Sequence, residues 1–274
     1  MIIEILKENK LTIGFIYTLS ILQYTLHALL PFLLGKAIDG LLQDDKSNLV
    51  VLVIANALSI FLGFYLKRYD TRVYMAIFAH KAIKAIQILR RKNVVPSKIA
   101  SRYQLVGYYS DFFEYSLPQA ISAFIKAMTS MVMLFVTNPI IGLINTLIYL
   151  ITLFIHQKCS RLIQKQDMDI QHIKEDIVQN IMDNKEYEQP IHSLSKFYIK
   201  KSYIDATNFL INDSLALIMH LSTILLLVYI HPSIGMVTST LMYVDQLYGT
   251  TYSIFYFLLF VRGVENTNKF INSD

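Results

Sequence analysis

Long apolar stretches recur along the chain and alternate with polar connections. The six longest cover residues 11–34, 48–66, 118–137, 140–156, 209–230 and 233–260. A helix needs about 20 apolar residues to cross the hydrocarbon core of a bilayer, which is roughly 30 Å thick. The Asn138-Pro139 and His231-Pro232 pairs each predict a tight reversal, because the residue before a proline is disfavoured in a helix. The pattern predicts an all-α membrane protein with six spans in a single domain, residues 1–274.

Two long polar connections, residues 67–117 and 157–208, keep a helical period of apolar positions. Val73, Ala76 and Ile83 share one helical face, as do Ile163 and Ile170. The second span is therefore predicted to continue as one helix from 48 to 92, and the fourth to about 183. Amphipathic stretches that lie flat on the membrane are the alternative. The breaks at 96–107 and 186–194 predict short crosswise helices at the tips of two helical hairpins.

Composition and charge add location and orientation. The chain is 54% hydrophobic and 16% charged, which is more apolar than soluble domains. Ten Lys and Arg residues fall between positions 67 and 102, whereas the two X-Pro turns carry none. The positive-inside rule then places both termini and both long connections in the cytoplasm, and we expect a multi-pass protein of a bacterial inner (plasma) membrane. The net charge of +5 belongs to these connections, so no nucleic-acid partner is expected.

Three short motifs lie in an order and spacing that resemble the transmembrane region of ABC exporters. They are Leu30-Pro31-x-x-x-Gly35-x-x-Ile38-Asp39, then Gly107 with Ser110-Asp111 and Leu117-Pro118, then Leu134-Phe135 with Asn138 and Gly142. The similarity covers nearly the whole chain. It implies six spans with long cytoplasmic extensions, arranged as a domain-swapped homodimer.

The resemblance also implies two coupling helices, near 96–103 and 187–194, that sit in grooves on ATPase domains. Their expected contact residues are Pro96, Ser97, Tyr103, Tyr187 and Pro190. The sequence departs from the family at 175–181, which lacks the small residues commonly found before the second coupling helix.

A second departure concerns nucleotide binding. A phosphate-binding loop has the pattern G-x-x-x-x-G-K-[ST]. Of the nine glycines only Gly35 and Gly40 have that spacing, and Leu41-Leu42 follows where Lys and Ser or Thr are required. We therefore expect no nucleotide-binding domain, no enzymatic activity and no cofactor in this chain, with ATP acting only through a partner subunit.

Ionisable residues near the middle of the predicted spans are the main functional candidates, since such groups are costly in a bilayer. Lys126, His220 and Asp245 each lie 10 to 12 residues from the nearest X-Pro turn, which is about 15–18 Å along a helix. Lys126 and Asp245 would neutralise each other in one interpretation. In the other, Asp245 with His220 binds a cation or transfers a proton, and Lys126 sets the pKa of the carboxyl. His27 is expected to hydrogen-bond to another helix.

The sixth span carries a further polar pattern. Asp245, Tyr248, Tyr252 and Tyr256 are spaced by three, four and four residues, so they share one helical face. The face either lines a central cavity, as the resemblance implies for this span, or anchors the helix by packing and at the membrane interface. No metal-ligand spacing or catalytic triad occurs in the sequence.

Three functions fit these observations. The first is the translocating subunit of a transporter whose energy comes from a separate ATPase subunit. The second is an ATP-independent, ion-coupled transporter or channel with the same fold, which the midplane residues favour. The third is a membrane scaffold or regulator that transports nothing. No pattern in the sequence indicates a substrate.

Overall fold

The computed structural model describes residues 10–91, 111–182, 186 and 188–272. These residues form α-helices joined by short connections and no strand, so the all-α prediction is confirmed. The helices are α1 (Lys10–Leu41), α2 (Ser47–Arg91), α3 (Leu117–Thr137), α4 (Pro139–Met182), α5 (Glu188–Ile230) and α6 (Ile234–Asn272). A π-helical turn, Phe112–Ser116, leads into α3.

Three of the helices are much longer than a bilayer is thick. α2, α4 and α5 contain 45, 44 and 43 residues, which corresponds to about 65–68 Å each. The continuation of the second and fourth spans as single helices is confirmed, because α2 ends at Arg91 and α4 at Met182. On which side of the membrane these extensions lie stays a prediction.

Five helices, α1 to α5, are long and apolar enough to cross a membrane, the third counted from Glu114. α6 has the length, with 39 residues, but it is more polar because Asp245, Gln246 and Thr250 interrupt its apolar sequence. The sixth span therefore stays a prediction.

The two X-Pro turns are stabilised in different ways, the first by a side chain that binds a free backbone group at a helix end. Asn138 closes α3 with its N–H on the Leu134 carbonyl (3.0 Å), and its Oδ1 accepts from the Ile140 N–H (2.8 Å) at the start of α4. The second turn uses the left-handed backbone of His231, with φ of 47°. The turn between α1 and α2 is similar, since the Ser47 N–H donates to Asp45 (2.9 Å) and lowers the pKa of that carboxyl.

α6 contacts α1, α3, α4 and α5, whereas α5 packs mainly on α4. The largest buried cluster joins α3, α4, α5 and α6 around Leu134, Met219 and Leu247. A second cluster joins α1, α2 and the π-helical turn around Ile16, Tyr74 and other residues. Among the described residues, one side of α5 consequently has no other helix against it.

The π-helical turn is fixed to α2 by a charged group. The Glu114 side chain is 3% exposed and accepts from the Lys67 ammonium at 2.9 Å and from the Thr71 hydroxyl at 3.0 Å. An ion pair with an added hydroxyl donor satisfies a buried carboxylate. The entry to α3 is thereby held at a defined point along α2.

The second predicted coupling helix is corrected by the structure. From residue 188 onward, the segment expected to form a separate crosswise helix is the start of α5. Pro190 lies in the first turn, where proline fits because its missing N–H has no helical acceptor there. Pro96, Ser97, Tyr103 and Tyr187 lie outside the described residues, as does the tip predicted at 96–107.

Candidate functional site

An open cleft of ≈ 420 Å³ lies between α1, α3 and α6. α3 contributes Gln119, Ser122 and Lys126, which share a helical face because they are spaced by three and four residues. The remaining lining residues are Tyr24 from α1 with Tyr252, Ser253 and Tyr256 from α6. Two members of the predicted tyrosine stripe therefore line a cavity.

Lys126 does not meet Asp245. Its half-buried side chain lines the cleft, and among the described residues its ammonium has no carboxylate within 4.0 Å. Its backbone carbonyl accepts from the Gln246 amide at 3.3 Å, which ties α3 to α6. Asp245 has a different partner, so the mutual neutralisation of Lys126 and Asp245 is not what the structure shows.

His220 and Asp245 form a pair between α5 and α6. The distance from His220 Nε2 to Asp245 Oδ1 is 2.7 Å, and His220 Nδ1 lies 2.8 Å from the Ala216 carbonyl oxygen. A carbonyl can only accept, so Nδ1 must carry a hydrogen. Nε2 then either donates as part of an imidazolium or accepts from a protonated Asp245. In both cases a hydrogen lies between Nε2 and Oδ1.

Asp213 is the second charged group on this side of α5. Its Oδ1 accepts from the Tyr248 hydroxyl at 2.6 Å and from the Tyr252 hydroxyl at 2.7 Å. Asp213 and His220 are seven residues apart on α5, as Asp245 and Tyr252 are on α6. The antiparallel helices thus meet at two levels separated by two helical turns. We call these five side chains, Asp213, His220, Asp245, Tyr248 and Tyr252, the open face.

Sequence reasoning identified four of these five residues and missed the role of Asp213. The matching seven-residue spacing on both helices was the available signal. It becomes informative only when the two helices are known to be antiparallel neighbours, which the tight His231-Pro232 turn indicates.

A set of buried or partly buried, uncharged pairs joins α3, α4, α5 and α6, and the sequence analysis did not predict it. Each pair places an amide or imidazole of one helix against a polar group of another, and all eight residues are buried or partly buried. They are His156–Asn208 (2.9 Å), Asn145–Thr223 (2.9 Å), Asn212–Thr251 (3.1 Å) and Ser130–Gln246 (3.0 Å). In these contacts α4 binds α5, α5 binds α6, and α3 binds α6. Uncharged pairs of this type connect helices inside a membrane.

His27 lies on an exposed part of α1, and within the described part of the chain no hydrogen bond joins its ring to another helix. Its expected role as a link between helices stays a prediction. The residue is near enough to Lys126 for the two groups to interact electrostatically. In the same described part, no three His, Cys, Asp or Glu side chains come together as metal ligands would.

A comparison with family models matches residues 2–239 to the ABC transporter transmembrane region. The chain belongs to this family. The resemblance carried by the three motifs is thereby confirmed, and the apolar helices place the protein among integral, multi-pass membrane proteins that serve transport. A comparison with curated proteins gives no match.

The first of the three motifs has a structural role. Gly35 and Gly235 let α1 and α6 approach closely, since a Cβ at Gly35 would lie 2.6 Å from the Gly235 carbonyl oxygen. Asp39 accepts from the Gly235 N–H at 2.9 Å and from the Ser233 hydroxyl at 2.6 Å. The motif therefore fixes the end of α1 to the start of α6. We call Gly35, Asp39, Ser233 and Gly235 the α1–α6 clasp.

Proposed function

We propose that this chain forms the membrane pathway of an ABC transporter as a homodimer, and that ATP hydrolysis on a separate subunit drives it. The family match over residues 2–239 supports a transport role. The observation that carries the proposal is the length of the α4–α5 hairpin. At about 65 Å each, these helices are roughly twice as long as a bilayer is thick.

A hairpin of this length can transmit movement between a soluble motor and the membrane. Its tip lies between Met182 and Glu188, and Pro190 in the first turn of α5 is at that end. The positive-inside rule favours a cytoplasmic location for this tip, where ATP is available. The open face lies between α5 and α6, and a second copy that packs on the neighbouring uncovered side of α5 would enclose a polar pathway.

The test is purification of the tagged chain from the membranes of cells that naturally produce it, followed by measurement of MgATP hydrolysis. We expect a homodimer with a stoichiometric subunit that mass spectrometry identifies by its phosphate-binding loop. Pro190→Glu introduces a charge that suits a helix N-terminus, so it should release this subunit and abolish hydrolysis while α5 stays folded.

His231→Asn is the matched control at the other end of α5, since Asn tolerates the positive φ of that position. This variant should retain both the subunit and the hydrolysis. A wild-type dimer that purifies without an ATPase and hydrolyses no ATP would overturn the proposal. Equal hydrolysis in the Pro190 and His231 variants would overturn the role of the tip.

The His220–Asp245 pair favours a second candidate function, proton-coupled transport without an ATPase. The Asp245 side chain is 67% exposed, so the pair lies at the surface of the chain, and carboxylate and imidazole groups inside membranes commonly form proton relays. Asp245→Asn removes the titratable group, and it should abolish potential-driven acidification of proteoliposomes that contain a pH-sensitive dye. Asp213→Asn, which changes the other carboxylate of the open face, is the control. Equal proton flux in wild type and Asp245→Asn would exclude this function.

A further inference from the structure

The cleft between α1, α3 and α6 contains a lysine, Lys126, that has no carboxylate partner among the described residues. A lysine near the middle of a membrane helix costs about 2.5–3.5 kcal/mol on insertion scales, and such groups normally face a cavity or pair with an opposite charge. Within the described part of the chain, Lys126 has no carboxylate within 4.0 Å. The two carboxylates of the open face have other partners, since Asp245 bonds to His220 and Asp213 to Tyr248.

The other groups around Lys126 are suited to an anion. The cleft presents the amide of Gln119 and the hydroxyls of Ser122 and Ser253, all of which can donate a hydrogen bond. None of the described lining residues is an acid. The electrostatic character of the cleft is therefore positive, opposite to that of the carboxylates of the open face.

The cleft also has apolar surface. Tyr24 on α1 and Tyr256 on α6 both line it and contribute aromatic rings. Gln119 and Lys126 are seven residues apart, so the polar strip on α3 is about 10 Å long. The volume of ≈ 420 Å³ is in the range of small-molecule sites, which bind with apolar walls and a few oriented polar groups.

We propose that this cleft binds an organic anion, with a carboxylate or phosphate group on Lys126 and an apolar body between Tyr24 and Tyr256. The inference rests on the proposed transport function, because it names the substrate class that the pathway accepts. An anion supplies the charge that Lys126 lacks, and the surrounding hydroxyl and amide groups donate to its oxygens.

The test uses the purified chain in nanodiscs of neutral phosphatidylcholine, with no ATPase present. The probe is dansyl-labelled undecanoate, and its methyl ester is the matched uncharged probe. Fluorescence titration, corrected with empty nanodiscs, should show that the ester binds wild type at least about tenfold more weakly. That ratio corresponds to about 1.4 kcal/mol for the lost charge contact.

Three variants locate the contact. Lys126→Met should weaken undecanoate binding by about tenfold or more and leave ester binding unchanged, whereas Lys126→Arg should stay within about threefold of wild type. Lys36→Met removes the same charge from an exposed position on α1, beside Phe32 and outside the cleft, and should bind as wild type does. Equal binding of the two probes by wild type would overturn the proposal even if Lys126→Met failed to fold.

Competition identifies the source of the anion. Displacement by laurate alone indicates a soluble organic acid, and displacement by dioctanoyl phosphatidylglycerol indicates a lipid head group. Displacement by neither overturns the anion site. The titration needs no ATP. If the anion does not bind while the native complex still hydrolyses ATP, the anion site is rejected and the proposed transport function is retained. If the chain binds the anion in nanodiscs but purifies from its native membranes without an ATPase, the site is supported and the ATP-driven function is rejected.

Discussion

The α1–α6 clasp and the open face both join α6 to another helix through carboxylates, yet they are built in opposite ways. In the clasp, the Asp39 carboxyl accepts from a hydroxyl and from the Gly235 N–H at the start of α6, beside a glycine contact with no room for a Cβ. On the open face, Asp245 has one bond, to His220, and its side chain is 67% exposed. The two sites are about 15 Å apart along α6.

The difference separates a carboxylate that binds the backbone of a helix end from one that is held by a single side chain. Asp39 binds one free N–H group and one hydroxyl at a helix end, so it stabilises one arrangement of α1 and α6. Asp245 is held by a side chain alone and is accessible, so it can change its partner while the helices stay in place. α1 and α6 are thus expected to move together, and α5 is expected to move relative to α6.

The largest effect is expected at the glycine contact. Gly235→Ala places a methyl group against the Gly35 carbonyl and the Asp39 carboxyl, and the backbone on both sides prevents relaxation. We expect a loss of about 3 kcal/mol in the free energy of unfolding, measured in mixed micelles with increasing sodium dodecyl sulfate. Gly249→Ala, in open space on the same helix, should instead stabilise by about 0.5–1 kcal/mol. Equal stability of the two variants would contradict the close packing.

Removal of the helix cap should have a smaller effect. Asp39→Ala deprives Gly235 N–H and the Ser233 hydroxyl of their acceptor, and we expect a loss of about 1–2 kcal/mol in the same unfolding measurement. Asp44→Asn is the control, since it changes a carboxylate in the neighbouring turn and keeps a residue that tolerates the φ of 61° there. A loss as large in the control would show that charge in this region matters more than the cap.

The smallest effect on stability is expected on the open face. A double-mutant cycle with His220→Ala and Asp245→Ala should give a coupling energy below about 1 kcal/mol, because exposed ion pairs contribute little. Unfolding is measured as before, with both single variants and the double variant. A coupling energy of about 3 kcal/mol would mean that the pair is enclosed and structural, and the contrast with the clasp would disappear.

The helices themselves could be predicted from local pattern. α2 was expected at 48–92 and runs from Ser47 to Arg91, because its apolar period continues without a proline or glycine strong enough to end it. The turn at Asn138-Pro139 was predicted from the same local chemistry. The wrong prediction arose because the break at 186–194 was interpreted as a separate crosswise helix, whereas proline in a first turn is compatible with the start of α5.

The contacts between helices could be predicted only in part. Asp39 and Gly235 are almost 200 residues apart, and nothing in either segment specifies the other. The depth estimate placed Lys126, His220 and Asp245 at one level, and His220 and Asp245 do form a pair there. Depth alone does not give the direction in which a side chain points around its helix, which is why Lys126 was paired with the wrong group.

The seven-residue spacing on α5 and α6 has a consequence for how these helices can slide. At the observed register, His220 faces Asp245 and Asp213 faces Tyr252. A displacement of α5 by two turns in one direction would set Asp213 against Asp245, two carboxylates that repel at close range. The opposite displacement would leave Asp245 without its imidazole. The two levels of contact therefore oppose translation of α5 along α6 in both directions. They permit rotation or separation of α5.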